Sequence, residues 1–86
     1  ITREQLAVVM WRYAKNENKD VSIGENTNIL SYEDIFIVSK YAIPALQWSC
    51  GSGILQGYSN GTLAPREEVS QIDFASTLYK YSLISD

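Results

Sequence analysis

The feature that most constrains this chain is a helix start that occurs twice. At the first occurrence Thr2 is a favourable N-cap, and Gln5 follows three residues later, as in a capping box. Ile1 and Leu6 occupy the two positions of a hydrophobic staple. A chain that begins in this way is committed to a helix from its third residue onward.

The second occurrence lies near the other end of the sequence. Ser70 and Asp73 stand where a cap and its partner stand, and Val69 and Phe74 take the staple positions. The first thirteen residues align without a gap with the segment that begins at Val69, and most aligned pairs keep their chemical character. Shared caps and staples arise by chance less readily than shared hydrophobicity, so the two segments are interpreted as a decayed repeat.

Both segments carry an apolar stripe at helical spacing. The stripe residues are Leu6, Val9, Met10 and Tyr13 in the first segment and Phe74, Thr77, Leu78 and Tyr81 in the second. The stripes predict helices over residues 3 to 15 and 71 to 82.

A third helix is predicted between them, over residues 39 to 51. Helical spacing of small and apolar residues supports it, and Pro44 is compatible with it only in the first turn. Gly51 and Gly53 are expected to end the helix, with Gly53 in the left-handed conformation and Ile54 folding back as the apolar contact.

The remaining segments are predicted to connect these helices. Residues 16 to 30 are rich in Asn, which indicates a solvated linker loop and not a further element. Residues 54 to 58 are expected to be a short extended piece, followed by a tight turn in which Asn60 and Gly61 both take positive φ. The predicted fold class is all-α, with long loops.

Composition excludes several classes of function. The chain has seven basic and ten acidic residues and a net charge of -3, without a basic cluster that could follow a phosphate backbone, so no nucleic-acid partner is expected. No apolar run approaches the roughly 18 residues of a membrane span, so no membrane partner is expected. The chain has a single cysteine, Cys50, and no histidine, so we expect no internal disulfide, no metal site and no cofactor.

Because the sequence opens on Ile1 within a helix start, we expect it to be part of a longer protein.

Four segments in order make the chain similar to the S-layer homology repeat. They are YED (32 to 34), YAIPALQW (41 to 48), GILQGYSNGTLAP (53 to 65) and VSQIDFASTLYKY (69 to 81). The resemblance implies about one and a half repeats. Residues 1 to 15 resemble the closing helix of a preceding repeat, 16 to 30 would be the linker, and 31 to 86 would be one full helix-loop-helix repeat.

The resemblance also implies a function and a location. Such repeats anchor secreted proteins to the outside of bacterial cell walls, usually as three repeats in a pseudo-threefold bundle with grooves between them. The implied partners are a secondary cell-wall polysaccharide attached to peptidoglycan, often pyruvylated, and neighbouring repeats or further copies of the chain. One and a half repeats cannot cover their own apolar stripe, so self-association or an exposed apolar face is expected.

In this family an Arg in a Thr-Arg-Ala-Glu motif at the final helix start commonly contacts the anionic group of the polymer. Arg3 matches that Arg and is the best candidate contact, since a guanidinium beside free backbone N–H groups can hold a carboxylate. Gln71 stands at the same place in the full repeat, where it could donate only a neutral hydrogen bond. Arg3 as a simply solvated side chain is the alternative.

The remaining candidate ligand contacts lie in the loop and in the middle helix. They are Tyr58, Asn60, Gly61 and Thr62, together with Trp48 as a stacking face for a sugar. Structural roles are the alternative: Asn60 and Gly61 are turn-formers first, and Trp48 is more often a core residue.

Two alternative functions and one structural assignment complete the predictions from sequence. The adjacent carboxylates Glu67 and Glu68 resemble the pair that glycosidases use, but adjacent side chains usually diverge, and acidic residues before a helix are ordinary partners of its dipole. We therefore predict that the chain is not an enzyme. A second alternative is a degenerate repeat that has lost its ligand and only packs against neighbouring modules, which Gln71 favours and Arg3 opposes. Cys50 is interpreted as a small buried residue.

Overall fold

The computed structural model describes residues 1–84, and the fold class is all-α as predicted. The three α-helices are α1 (Arg3–Asn16), α2 (Ile43–Ser52) and α3 (Gln71–Ser82). Short 3₁₀ helices lie at Ser22–Asn26, Ile35–Ile37 and Lys40–Ala42, all between α1 and α2. Within the described residues none of the helices is both long enough and apolar enough to cross a membrane.

The start of α1 confirms the predicted capping box. The Gln5 amide donates to the Thr2 hydroxyl, and the Gln5 side-chain oxygen accepts from the Thr2 amide at 2.9 Å. At the start of α3 only half of this arrangement is present, because Ser70 caps the Asp73 amide without a reciprocal bond from the Asp73 side chain. The prediction that Asp73 repeats the complete box is therefore wrong.

The two helix starts lie side by side. Thr2 and Glu68 form an isolated antiparallel bridge, in which the Arg3 amide donates to the Glu67 carbonyl oxygen and the Val69 amide donates to the Ile1 carbonyl oxygen. Residues far apart in sequence are thereby joined at one end of the molecule. This junction positions the candidate site.

The middle helix begins later than predicted. Its first turn contains Pro44, as expected, but residues Lys40–Ala42 form a 3₁₀ turn and the α-helix starts only at Ile43. Proline lacks the N–H that would continue a regular helix from further upstream, so the chain enters α2 through the tighter turn. At the other end Gly53 takes φ 82° and Ile54 is buried, which confirms the predicted left-handed cap.

The linker contains an element that the sequence did not predict. The 3₁₀ helix Ser22–Asn26 packs on α2 so closely that a Cβ on Gly24 would lie 2.9 Å from the backbone nitrogen of Trp48. The Asn-rich composition predicts a solvated loop. Because Gly24 has no side chain, however, the backbone of this segment packs directly against α2. A contact between backbones leaves no pattern of apolar side chains in the sequence.

The turn after α2 also differs from the prediction. Residues 54–58, expected to be extended, form no β-strand in the part of the chain that the structure describes. The following turn is closed by the Gly61 amide donating to the Tyr58 carbonyl oxygen at 3.1 Å, and of Asn60 and Gly61 only Gly61 has positive φ. Gly61 stands at the fourth position of this turn, so Asn60 does not need a left-handed backbone.

The core lies between α1, α2 and the loops around them. Its largest fully buried apolar side chains are Trp48, Leu6, Ile29, Leu46 and Leu63. Of the predicted apolar stripe on α1, Leu6 and Met10 are buried, while Val9 and Tyr13 are exposed. Cys50 is half-buried, and this burial raises the pKa of its thiol.

Candidate functional site

A cleft of about 210 Å³ lies where the start of α1 meets α3 and the loop after α2. The side chains that matter most for its chemistry are Arg3, Tyr58, Asp73, Ser76 and Lys80. These five side chains comprise two cations, one carboxylate, one phenol and one aliphatic hydroxyl. Neutral and anionic groups of a carbohydrate can hydrogen-bond to such a set.

Arg3 is the most tightly held of these residues, with only 3% of its surface exposed. Its Nε donates to the Leu63 carbonyl oxygen at 2.9 Å, and one terminal nitrogen donates to the Gln56 carbonyl oxygen. The guanidinium carbon lies 4.3 Å from the centre of the Tyr58 ring. Arg3 is thus preorganised, which a simply solvated arginine would not be.

The other terminal nitrogen of Arg3 faces a carboxylate of the chain itself. Nη1 lies 3.5 Å from Oδ2 of Asp73, whose side chain is 39% exposed. This is an ion pair without the short distance of a charge-assisted hydrogen bond, which is about 2.7–2.9 Å.

Tyr58 closes the cleft on the side of the loop. Its hydroxyl donates to Oε1 of Glu67 at 2.8 Å, and this hydrogen bond to the neutral phenol raises the pKa of Tyr58 above its usual value. Burial adds to the rise, and the positive charge of Arg3 partly offsets it. The ring is held by Arg3 and by Glu67 from two directions.

A carboxylate outside the cleft organises the loop that supports Arg3. Both oxygens of Asp34 accept backbone amides, from Leu63 and from Ala64, each at 2.8 Å. Ala64 has a positive φ of 49°, a conformation that needs such support in a residue with a side chain. Asp34 thereby fixes the Leu63 carbonyl that accepts from Arg3.

Three of the predicted loop contacts lie at the turn beside the cleft. The Asn60 side-chain oxygen accepts from the amide and from the hydroxyl of Thr62, and the Gly61 carbonyl oxygen accepts from the Glu33 amide. These bonds stabilise the turn. Asn60, Gly61 and Thr62 do not line the cleft among the described residues, although Tyr58 does.

Trp48 and Gln71 lie away from the cleft. Trp48 is 1% exposed, and its ring meets that of Tyr81 edge to face at a centroid distance of 6.4 Å, so it offers no free stacking face in this chain. Gln71 is exposed at the start of α3 and is not among the residues that line the cleft.

Sequence reasoning missed Asp73, Ser76 and Lys80 as members of this site. The sequence predicts Asp73 only as the partner of the Ser70 cap, and it assigns no site role to Ser76 or Lys80. Their spacing on one helix face could have grouped them. Their approach to Arg3 depends on the pairing of the two helix starts, which no local signal contains.

A larger open depression of about 600 Å³ is lined by Ile23, Gly51 and Leu83 and shares Lys80 with the cleft. Its lining includes Trp48 and the polar residues Asp20, Ser52 and Lys80. None of these three polar side chains is buried and held in place as Arg3 is in the smaller cleft, and fixed polar groups are what orient a ligand. We therefore regard the smaller cleft as the candidate site.

The carboxylates Glu67 and Glu68 are engaged with different partners. Glu67 accepts from Tyr58, and Glu68 pairs with the amino group of Ile1 at 2.9 Å. No group of three or more histidine, cysteine, aspartate or glutamate residues that could hold a metal ion occurs in residues 1–84.

Comparison with known proteins agrees with this picture. The family profile of the S-layer homology domain matches residues 31–75, just over half of the chain. No curated protein and no solved structure matches the chain significantly. Domains of this family are non-catalytic binding modules that anchor proteins at the bacterial cell surface. Since the match covers the segment that contains α2, the turn and the start of α3, this chain belongs to the S-layer homology family.

Proposed function

We propose that the chain is a non-catalytic module that binds an anionic, pyruvylated secondary cell-wall polysaccharide and so holds its parent protein on the outside of the bacterial wall. The observation that carries the proposal is the preorganised Arg3 guanidinium, stacked on Tyr58 at the head of a cleft. A guanidinium in this state binds a carboxylate at little further entropic cost. Lys80 supplies a second, exposed cation in the same cleft.

The charge of the whole chain supports a short-range mode of binding. A protein with net charge -3 gains nothing from long-range attraction to an anionic polymer. Affinity must therefore come from direct contacts in the cleft. Tyr58, with more than a third of its surface exposed, offers a ring edge and face to a sugar.

A second candidate function is a structural repeat that only packs against neighbouring modules. The observation in its favour is the exposed apolar surface of α3, where Ile72 is 81% exposed and Leu78 is 45% exposed. The burial of Trp48 and the neutral side chain at Gln71 also favour it. Under this hypothesis Arg3 is a brace between α1 and the loop and binds no ligand.

The test is co-sedimentation of the chain with bacterial wall sacculi before and after acid extraction of the secondary polymer. We expect binding to intact sacculi and its loss after extraction. Lys80→Met, which removes the exposed cation, is expected to weaken binding about fivefold. Arg66→Met, which removes an exposed cation outside the cleft, is the matched control and should bind like the wild type.

Two results would refute the proposal. Equal binding to intact and extracted sacculi would show that the polymer is not the partner. No binding by a chain whose circular dichroism shows a folded state would favour the packing module.

A further inference from the structure

The two helix starts use the residue three positions after the cap in different ways. At α1 the long side chain of Gln5 returns to the Thr2 amide. At α3 the equivalent residue is Asp73, which is one methylene shorter and makes no such bond within the described residues. Its carboxylate is therefore available for another contact, and that contact is Arg3.

The guanidinium group of Arg3 is held in one position by its contacts. Two of its nitrogens donate to carbonyl oxygens of Leu63 and Gln56, and its flat face lies on Tyr58. Nη1 therefore stays at one place on the wall of the cleft. The partner at this nitrogen can change more easily, because Asp73 lies at 3.5 Å and is partly exposed.

From this arrangement we infer that Asp73 is an internal carboxylate which stands where a ligand carboxylate would bind, and that it sets the affinity of the cleft for anionic groups. An incoming carboxylate must either displace the Asp73 side chain from Nη1 of Arg3 or share that nitrogen with it. If the two carboxylates share Nη1, their negative charges lie close together and repel. The inference rests on the proposed function only in taking this cleft as the ligand site.

The other groups that face the cleft do not compete with a ligand carboxylate for Arg3 as Asp73 does. Lys80, on the same helix, is attractive to an anion, and the Tyr58 hydroxyl already donates to Glu67. Glu67, which accepts that hydrogen bond, is not among the residues that line the cleft. Among the described residues lining the cleft, Asp73 is the one carboxylate.

The variant Asp73→Asn removes the charge and leaves the cap intact, because the bond from this residue to Ser70 uses its backbone amide. The probe is pyruvate, titrated at pH 7 and constant ionic strength while the amide and Arg3 side-chain signals are followed by NMR. We expect Asp73→Asn to bind pyruvate about two- to fivefold more tightly than the wild type. The matched control Glu25→Gln, which removes one exposed negative charge remote from the cleft, should bind like the wild type.

Equal pyruvate affinity in Asp73→Asn and the wild type would overturn the inference. Absence of binding by a folded Asp73→Asn variant would overturn it as well. The same proteins sedimented with wall sacculi separate this inference from the proposed function. Wild-type wall binding that Asp73→Asn leaves unchanged rejects the inference alone, whereas tighter pyruvate binding without any wall binding supports the inference and rejects the proposed function.

Discussion

At the scale of single residues, Arg3 connects three parts of the molecule. It begins α1, it donates to carbonyl groups of the loop at Gln56 and of the segment at Leu63, and it faces Asp73 on α3. A buried guanidinium is tolerated only when its donors are paired, and within the described residues no buried side-chain polar atom lacks a partner. Arg3 is thus important for stability, in addition to its proposed role in binding.

We predict that Arg3→Met destabilises the fold by about 2–4 kcal/mol, because two carbonyl groups lose their donors and a buried carbonyl without a partner costs about 1–3 kcal/mol. Urea unfolding followed by circular dichroism measures the change. Arg66→Met, at an exposed position, should change stability by no more than about 0.5 kcal/mol. Equal stability of the two variants would show that the Arg3 contacts contribute nothing.

A second prediction at this scale concerns the ionisation of Tyr58. Its raised pKa in the folded state means that the neutral phenol stabilises the fold at pH values below the unfolded pKa, about 10, and that this contribution is lost as pH rises through the folded pKa. Glu67→Gln removes the charged acceptor, so the pKa of Tyr58 should fall towards its ordinary value. NMR of the ring carbon that carries the hydroxyl follows the titration. An unchanged pKa in the variant would contradict the assigned cause.

At the scale of elements, α1 and α3 begin in similar ways but differ in how far their apolar residues are buried. Leu6 and Met10 on α1 are 1% and 4% exposed, whereas the aligned residues Phe74 and Leu78 on α3 are 39% and 45% exposed. The core around α2 covers Leu6 and Met10. Phe74 and Leu78 lack an equivalent cover among the residues that the structure describes.

The elements also show what sequence could and could not predict. Caps, staples and Pro44 locate α1, α2 and α3 because these signals are local. The 3₁₀ helix at Ser22–Asn26 was missed because it is formed by contact with α2, and the cleft at Arg3 was missed because it depends on the pairing of Thr2 with Glu68. Arg3 and Tyr58 were predicted as separate candidates, and their stacking could not be derived from spacing.

We predict that Gly24→Ala destabilises the fold by about 1–3 kcal/mol, because the new methyl group would meet the backbone of α2 at Trp48. Backbone atoms of a packed helix cannot move away as a flexible side chain can. Thermal unfolding measures the effect. Asn26→Ala, exposed in the same 3₁₀ helix, is the control and should lie within about 0.5 kcal/mol of the wild type. If Gly24→Ala is as stable as that control, the close contact with α2 is not present in solution.

At the scale of the whole molecule, α3 presents apolar side chains that the described residues leave uncovered. Ile72, Tyr79 and Leu83 share one face of the helix and Phe74 and Leu78 another, and all five are more than one-third exposed. The division into a preceding helix (1–15), a linker (16–30) and a full repeat (31–86) remains a prediction. It accounts for this surface, because a following repeat would cover α3 as the core around α2 covers α1.

The aligned pair Met10 and Leu78 tests this interpretation. We predict that the chain associates through α3 at high concentration, and that Leu78→Lys abolishes the association while changing stability by no more than about 1 kcal/mol. Met10→Lys, at the equivalent buried position, should lose about 3 kcal/mol or more because a charge enters the core. Analytical ultracentrifugation and urea unfolding measure the two effects. A monomeric wild type would show that copies of the chain do not cover α3.

The central claim is that a cell-wall polymer binds in the cleft between α1 and α3. The most direct measurement is an NMR titration of the chain with secondary polymer released from walls by acid. We predict that the largest shifts fall on Arg3, Gly57, Tyr58, Ser76 and Lys80. The exposed apolar residues Ile72, Tyr79 and Leu83 should be unaffected. Shifts that concentrate on Ile72, Tyr79 and Leu83, or that do not occur at saturating polymer, would contradict the claim and favour a module that only packs against its neighbours.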